Sequence, residues 1–261
     1  MRLILFLWVV LFNIPLVVAH HSKDYIQLNS TRLTAQKHVE LSILTQWREE
    51  VDSTLEIDPA ISYGISQYLS AEIHFHLEKN SGKNLENKGT ALEFQTLIDH
   101  RIFGFKPSFV LEIARVEVEK VLSTNTGTQT GVVIPKARYH AAHFLNANPS
   151  TIIVNEQQTS ISFEIVASKT FSKGELIFQI GTEKSDDEHN ESYGLGYKVK
   201  FEKNFSISCE LLGPLGKSHG HEIWFACQKK VKGLPMQIGY GRGVGTQQDL
   251  NALAFLTGFS F

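Results

Sequence analysis

The stretch Ser192-Tyr193-Gly194-Leu195-Gly196-Tyr197-Lys198-Val199-Lys200-Phe201-Glu202 places Tyr193, Leu195, Tyr197, Val199 and Phe201 at alternate positions, with serine, glycine, lysine and glutamate between them. Successive side chains of a β-strand point to opposite faces, so this stretch predicts a strand with one apolar and one polar face. The apolar face is rich in aromatic residues and the other carries charge. That combination suits a wall between lipid and water.

The pattern repeats on both sides of this stretch. Phe205, Ile207, Cys209 and Leu211 oppose Ser206, Ser208 and Glu210, and Leu69, Ala71, Ile73, Phe75 and Leu77 oppose Ser70, Glu72, His74, His76 and Glu78. Helical periodicity is weak throughout. The alternating runs predict strands over 39–48, 54–65, 68–78, 91–103, 106–119, 159–169, 174–183, 192–202, 205–213, 221–229, 234–243 and 251–261, which is twelve. The fifth changes phase near Arg115, which predicts a bulge.

The connections alternate in length: short at 66–67, 104–105, 170–173, 203–204 and 230–233, longer at 79–90, 120–158, 184–191, 214–220 and 244–250, with 49–53 out of pattern. Outer-membrane barrels pair short periplasmic turns with long outer loops and keep both termini on the periplasmic side. The predicted fold is therefore all-β, an antiparallel transmembrane up-and-down β-barrel of about 12 strands. Segment 120–158 is longer than most structureless connections. It predicts either one more hairpin or an inward-folded plug or constriction holding Tyr139, His140 and His143.

Met1 and Arg2 precede an apolar run from Leu3 to Ala19 that ends before His20-His21-Ser22-Lys23, which reads as a secretory signal peptide over 1–19. The domain plan is then a periplasmic lead over 20–38 and a barrel over 39–261. After Ala19 no window approaches the roughly 20 consecutive apolar residues of a spanning helix. The chain is 42% hydrophobic and 20% charged with a net charge of -2, acidic and basic residues being interspersed. A nucleic-acid partner, which needs a basic footprint, is excluded on that ground. Cys209 and Cys227 are the only cysteines. They fall on the lipid-facing rows of neighbouring strands, where a thiol packs as a small hydrophobe.

The carboxyl terminus reads Leu253-Ala254-Phe255-Leu256-Thr257-Gly258-Phe259-Ser260-Phe261. It resembles the terminal β-signal read by the barrel-assembly machinery, with Leu253, Phe255, Phe259 and Phe261 fitting and Thr257 the weak position. Tyr63-Gly64-Ile65-Ser66-Gln67-Tyr68-Leu69-Ser70, Ser208-Cys209-Glu210-Leu211 and Gly239-Tyr240-Gly241 also resemble pieces of a loosely defined family of small outer-membrane barrels, both transporter-like and phenol-degradation-pathway proteins. The resemblance implies the barrel, outer-membrane lipid and the assembly machinery as partners, and an outer-membrane location.

The predicted inward rows collect Glu40, Glu56, Asp58, Glu72, Glu78, Glu93, Glu112, Glu164, Glu210 and Glu222, opposed by Arg48, Arg101, Lys198 and Lys200. Facing rows of opposite sign across water favour passage of small polar or charged solutes. Glu72, His74, His76, Glu78, Glu93, Arg101, Lys198, Lys200 and Glu210 are the lumen-lining candidates for a channel or transporter. The competing reading is a closed structural or adhesive barrel whose side chains pair and fill it.

His74 and His76 beside Glu72 and Glu78 carry metal-ligand chemistry, but no specific ligand motif is present, so no metal and no cofactor are assigned. A rim enzyme built on Ser218-His219 lacks an oriented base in sequence, and the reading is non-enzymatic. Trp47, Trp224, Tyr63 and Tyr68 lie near strand ends as candidate girdle aromatics, although Trp224 has inward phase.

Overall fold

The computed structural model describes residues 25, 27–49, 53–80, 82, 84–123, 132–134, 151–185, 189–202, 204–215, 221–231, 234–244 and 251–260. The strands are β1 (Val39–Glu49), β2 (Thr54–Ser66), β3 (Leu69–Asn80), β4 (Glu86–Leu97), β5 (Lys106–Ser123), β6 (Val132–Ile134), β7 (Thr151–Thr170), β8 (Gly174–Lys184), β9 (His189–Glu202), β10 (Phe205–Pro214), β11 (His221–Val231), β12 (Leu234–Val244) and β13 (Asn251–Ser260). Twelve of them form one closed antiparallel barrel, because β13 pairs with β1 and β4 with β5. The thirteenth, β6, adds only beside Glu119–Val121 at the far end of β5. Among the described residues no helix is long and apolar enough to cross a membrane, and the barrel crosses with strands instead.

Exposed large apolar groups lie on all twelve barrel strands: Ile43 and Trp47 on β1, Ile61 and Tyr63 on β2, Ile73 and Phe75 on β3, and so on to Ile238 and Tyr240 on β12 and Leu253 and Phe255 on β13. A continuous apolar belt of this extent is unsuited to water and matches a hydrocarbon core. The inner face is mostly polar. It holds a smaller apolar layer of Val110, Val166, Ile177, Leu212, Trp224 and Leu256. Of the aromatic candidates, Trp47, Tyr63 and Tyr68 face out, whereas Trp224 is fully buried inside. Cys209 and Cys227 are free thiols.

Three sequence expectations need correction. The register of β5 runs through Arg115 without a shift, so no bulge lies there. The apparent change of phase comes from Val116, which is buried on the inner face against Gly89. Bulges occur instead at Gly64/Ser66, His76/Leu77 and Phe205/Ser206.

The fourth strand ends at Leu97, not near residue 103. Beyond it Ile102 and Phe105 exchange backbone hydrogen bonds around Phe103 and Gly104, both with positive φ, a type I′ hairpin geometry.

The predicted 120–158 connection is shorter than its sequence suggests, since β5 and β7 stay paired as far as Ser123 and Thr151. Strand β7 meets β8 only from Ile161 onward, so the β5–β7 ribbon rises above the barrel by about ten residues, roughly 30 Å. Tyr139, His140 and His143 lie outside the described residues, as does the 1–19 segment.

Candidate functional site

The inner wall of β3, β4 and β5 carries a row of carboxylates. Glu72 stands directly opposite Glu93, and Glu93 opposite Glu112. His74 lies two residues along β3, on the same face. Its Nδ1 is 3.1 Å from Glu72 Oε1, and its Nε2 is 3.7 Å from Glu93 and 3.9 Å from Glu112. All four side chains are buried.

Nearer the long-loop end, His76 Nδ1 lies 2.6 Å from Asp58 Oδ1 in a hydrogen bond, and its Nε2 is 4.0 Å from Glu78. Arg48 ties three strands together, with Nε 3.5 Å from Glu56 and Nη1 3.3 Å from Glu222. The indole Nε1 of Trp224 donates to the other oxygen of Glu222 at 2.9 Å.

Of the basic candidates, Arg48 and Lys198 lie on the buried inner face, Lys198 3.5 Å from Glu175 and 5.3 Å from the ring of Tyr25. Lys200 is exposed. Arg101, expected on the inward row of the fourth strand, is exposed in the β4–β5 connection, because that strand stops at Leu97. Arg101 and Lys200 meet instead around a recess of about 370 Å³ at the short-turn mouth, with Arg32, Lys106 and Glu175. The wall therefore carries its acid inside and much of its base at one opening.

The largest departure from the sequence reading concerns the stretch before β1. It was expected as a periplasmic lead, yet Tyr25 to Thr34 bond to inner-face groups on both sides of the barrel. Glu210 Oε2 accepts the backbone N–H groups of Gln27 and Leu28. Asn29 donates its backbone N–H to Gln179 at 3.0 Å and its side-chain amide to Glu164 at 2.6 Å. Thr31 meets Ser168, Thr34 meets Ser62, and Gln95 donates to the carbonyl of Ser30. A segment bonded to β2, β4, β7, β8 and β10 at once must run through the interior. Its partners place it toward the short-turn half.

Three glycines, Gly64, Gly194 and Gly196, make room for it. A Cβ on Gly194 would fall 2.2 Å from Leu28, and one on Gly64 would fall 2.0 Å from the carbonyl oxygen of Ala35. Tyr63-Gly64, read in the sequence as a family-like turn, thus seats the incoming chain. Gly64 exchanges backbone hydrogen bonds with Lys37 and His38.

Sequence reasoning missed Tyr25, Leu28, Asn29, Thr31 and Thr34 as interior residues. Their only signal is a run of uncharged hydrogen-bonding residues, Gln27, Asn29, Ser30, Thr31 and Thr34, in a stretch without strand alternation.

In the closing strand Leu253 and Phe255 face out, Phe259 is half-buried, and Phe261 lies outside the described residues. Ser218-His219 also lies outside them.

The chain is similar in structure to an outer-membrane channel from Pseudomonas putida F1, with a TM-score of 0.56 at 10% identity over 93% of this chain and 100% of that one. It has the fold of an outer-membrane β-barrel. The KdgM porin, in a complex with disordered oligogalacturonate, matches with a TM-score of 0.56 at 9% identity over 84% of this chain and 99% of that one. The NanC porin matches with a TM-score of 0.50 at 11% identity over 85% and 98%. Neither a family model nor a curated protein sequence matches the chain. At these identities the likeness is one of fold.

Proposed function

We propose that this chain is a bacterial outer-membrane channel for a small polar solute, held narrow by its own segment 25–36. The observation that carries the reading is the inversion of the wall: an apolar belt outside, and inside a surface dominated by carboxylates, amides and hydroxyls. Glu72, His74, His76, Glu78, Glu93, Lys198 and Glu210 line the path in this reading, with Arg101 and Lys200 at its periplasmic mouth.

The three motif resemblances to transporter-like and phenol-pathway barrels support the same class of function, and so does the fold shared with porins. One compared barrel is described with a bound oligogalacturonate, which is in keeping with a polar cargo.

Purified protein in planar bilayers tests the reading. Small conductance steps are expected from the whole mature chain and larger ones from a variant lacking residues 25–36. A correctly folded barrel that is silent in both forms, with no solute uptake in vesicles, would replace the channel by the closed structural barrel.

A further inference from the structure

We propose that the recess at the short-turn mouth binds a small organic anion bearing two or more carboxylates, and that this anion holds the N-terminal segment in its seat. The recess, of about 370 Å³, has the size of a small-molecule pocket, and four of its lining side chains are cationic against one acid, Glu175. Glu175 already faces Lys198 at 3.5 Å. Among the described residues Arg101, Lys106 and Lys200 make no ion pair. Like charges gathered in one recess repel one another, and a multivalent anion set among them relieves that repulsion.

The cations come from separate parts of the chain. Lys106 opens β5 directly opposite Ser168 on β7, and Lys200 lies two residues beyond Lys198 on the inward row of β9. Arg101 belongs to the β4–β5 connection. Arg32 comes from the N-terminal segment, which is fastened next to it by the 2.6 Å contact between the hydroxyls of Thr31 and Ser168. Groups spread over that width suit a molecule with several acid groups better than a single inorganic ion. The guanidinium forks of Arg32 and Arg101 match carboxylate oxygens in pairs, and the hydroxyl of Thr170 adds a donor.

Deeper in, the wall turns acidic, with Glu164 holding Asn29 and Glu210 holding Gln27 and Leu28. Charge therefore stops an anion entering from this end at the recess. There it meets the segment through Arg32 and the wall through Arg101, Lys106 and Lys200. A ligand that needs both surfaces stabilises the seated arrangement over the released one. Its effect on conductance rests on the channel reading, whereas its binding does not.

The test titrates citrate into the folded mature barrel in detergent by calorimetry at low ionic strength, with acetate and inorganic phosphate in parallel. One saturable citrate per barrel is expected, roughly 10-fold tighter or more than either comparison anion and weakened by salt. Arg101→Gln combined with Lys200→Gln should weaken it by roughly 10-fold or more. Lys169→Gln, at a lysine on the other face of β7 over the rings of Phe105 and Phe171, should leave it unchanged. Citrate should also slow proteolysis within residues 25–36 of the wild-type protein but not of Arg32→Gln. Heat-modifiable gel mobility verifies that each variant is folded. Absence of saturable citrate binding, acetate or phosphate bound as tightly as citrate, or equal affinity in the folded double variant would each overturn the site. Unchanged proteolysis with citrate bound would overturn its hold on the segment. The wild-type titrations decide even if a variant fails to assemble. A barrel that binds citrate and never conducts keeps the site and loses the channel, whereas one that conducts without binding citrate loses the site alone.

Discussion

One oxygen of Glu210 accepts two successive backbone N–H groups of the N-terminal segment, that of Gln27 at 2.8 Å and that of Leu28 at 3.2 Å. Glu210 sits at mid-strand on β10, so a single carboxylate anchors the segment near the middle of the wall. Hydrogen bonds to a charged group contribute about 1.5–3 kcal/mol each, more than neutral ones. Glu210→Ala should therefore shift the seated-to-released ratio by about thirty-fold or more, corresponding to about 2 kcal/mol. Bilayer recordings should show larger or more frequent conductance steps. Unchanged recordings, with the N-terminal segment still protected from protease, would remove the anchor role.

Leu28 packs where Gly194 has no side chain. Because an added Cβ would lie 2.2 Å from Leu28 Cδ2, Gly194→Val should expel the segment while leaving the outward belt intact. Limited proteolysis should then cut near residues 25–36 in an otherwise heat-modifiable barrel. A variant as resistant as the wild type would show that the interior can absorb the clash.

Charge at the lysine pair should set ion preference. Reversing Lys198 and Lys200 together to glutamate should move selectivity toward cations, because the local wall field changes sign. The structure divides the effect: Lys200 is exposed by the mouth, whereas Lys198 faces Glu175 at 3.5 Å. Lys200→Glu alone should carry selectivity with normal assembly. Lys198→Glu sets two carboxylates together and should also lower barrel yield. Val199→Leu should leave conductance unchanged, and reversal potentials across a salt gradient measure all four variants.

The terminal strand closes the barrel, with Phe259 opposite Leu41 and Ser260 opposite Glu40. Deleting Phe261 or replacing it with Asp should lower the assembled fraction several-fold and raise degradation, while Ser260→Ala should have little effect. Quantifying the heat-modifiable band in outer-membrane fractions gives the comparison. Equal assembly of all variants would dismiss the terminal signal.

Twelve alternating runs in the sequence correspond to twelve barrel strands, and the short and long connections already show which end carries the turns. The reason is local. A pleated strand assigns neighbouring residues to opposite faces, so a lipid-facing row such as Leu195, Tyr197 and Val199 is visible without knowing any partner. The same rule fails where lipid is absent. The extension of β5 and β7 above the barrel leaves no apolar alternation to read, and β4 ends at Leu97, well before the tight turn at Phe103-Gly104, although apolar residues continue to Phe103.

Sequence by itself determined the class of fold, its strand count and the inward phase of Glu72, His74, Glu93 and Glu210, since each follows from period-two spacing along one strand. Only the tertiary structure decided that Glu72, Glu93 and Glu112 share one row around His74, because register between strands fixes it. Tertiary structure also put Arg101 at a mouth and drew Tyr25 to Thr34 into the interior. Those residues make no regular element of their own; their position follows from bonds to Ser62, Gln95, Glu164, Gln179 and Glu210, which adjoin one another only after the barrel has closed.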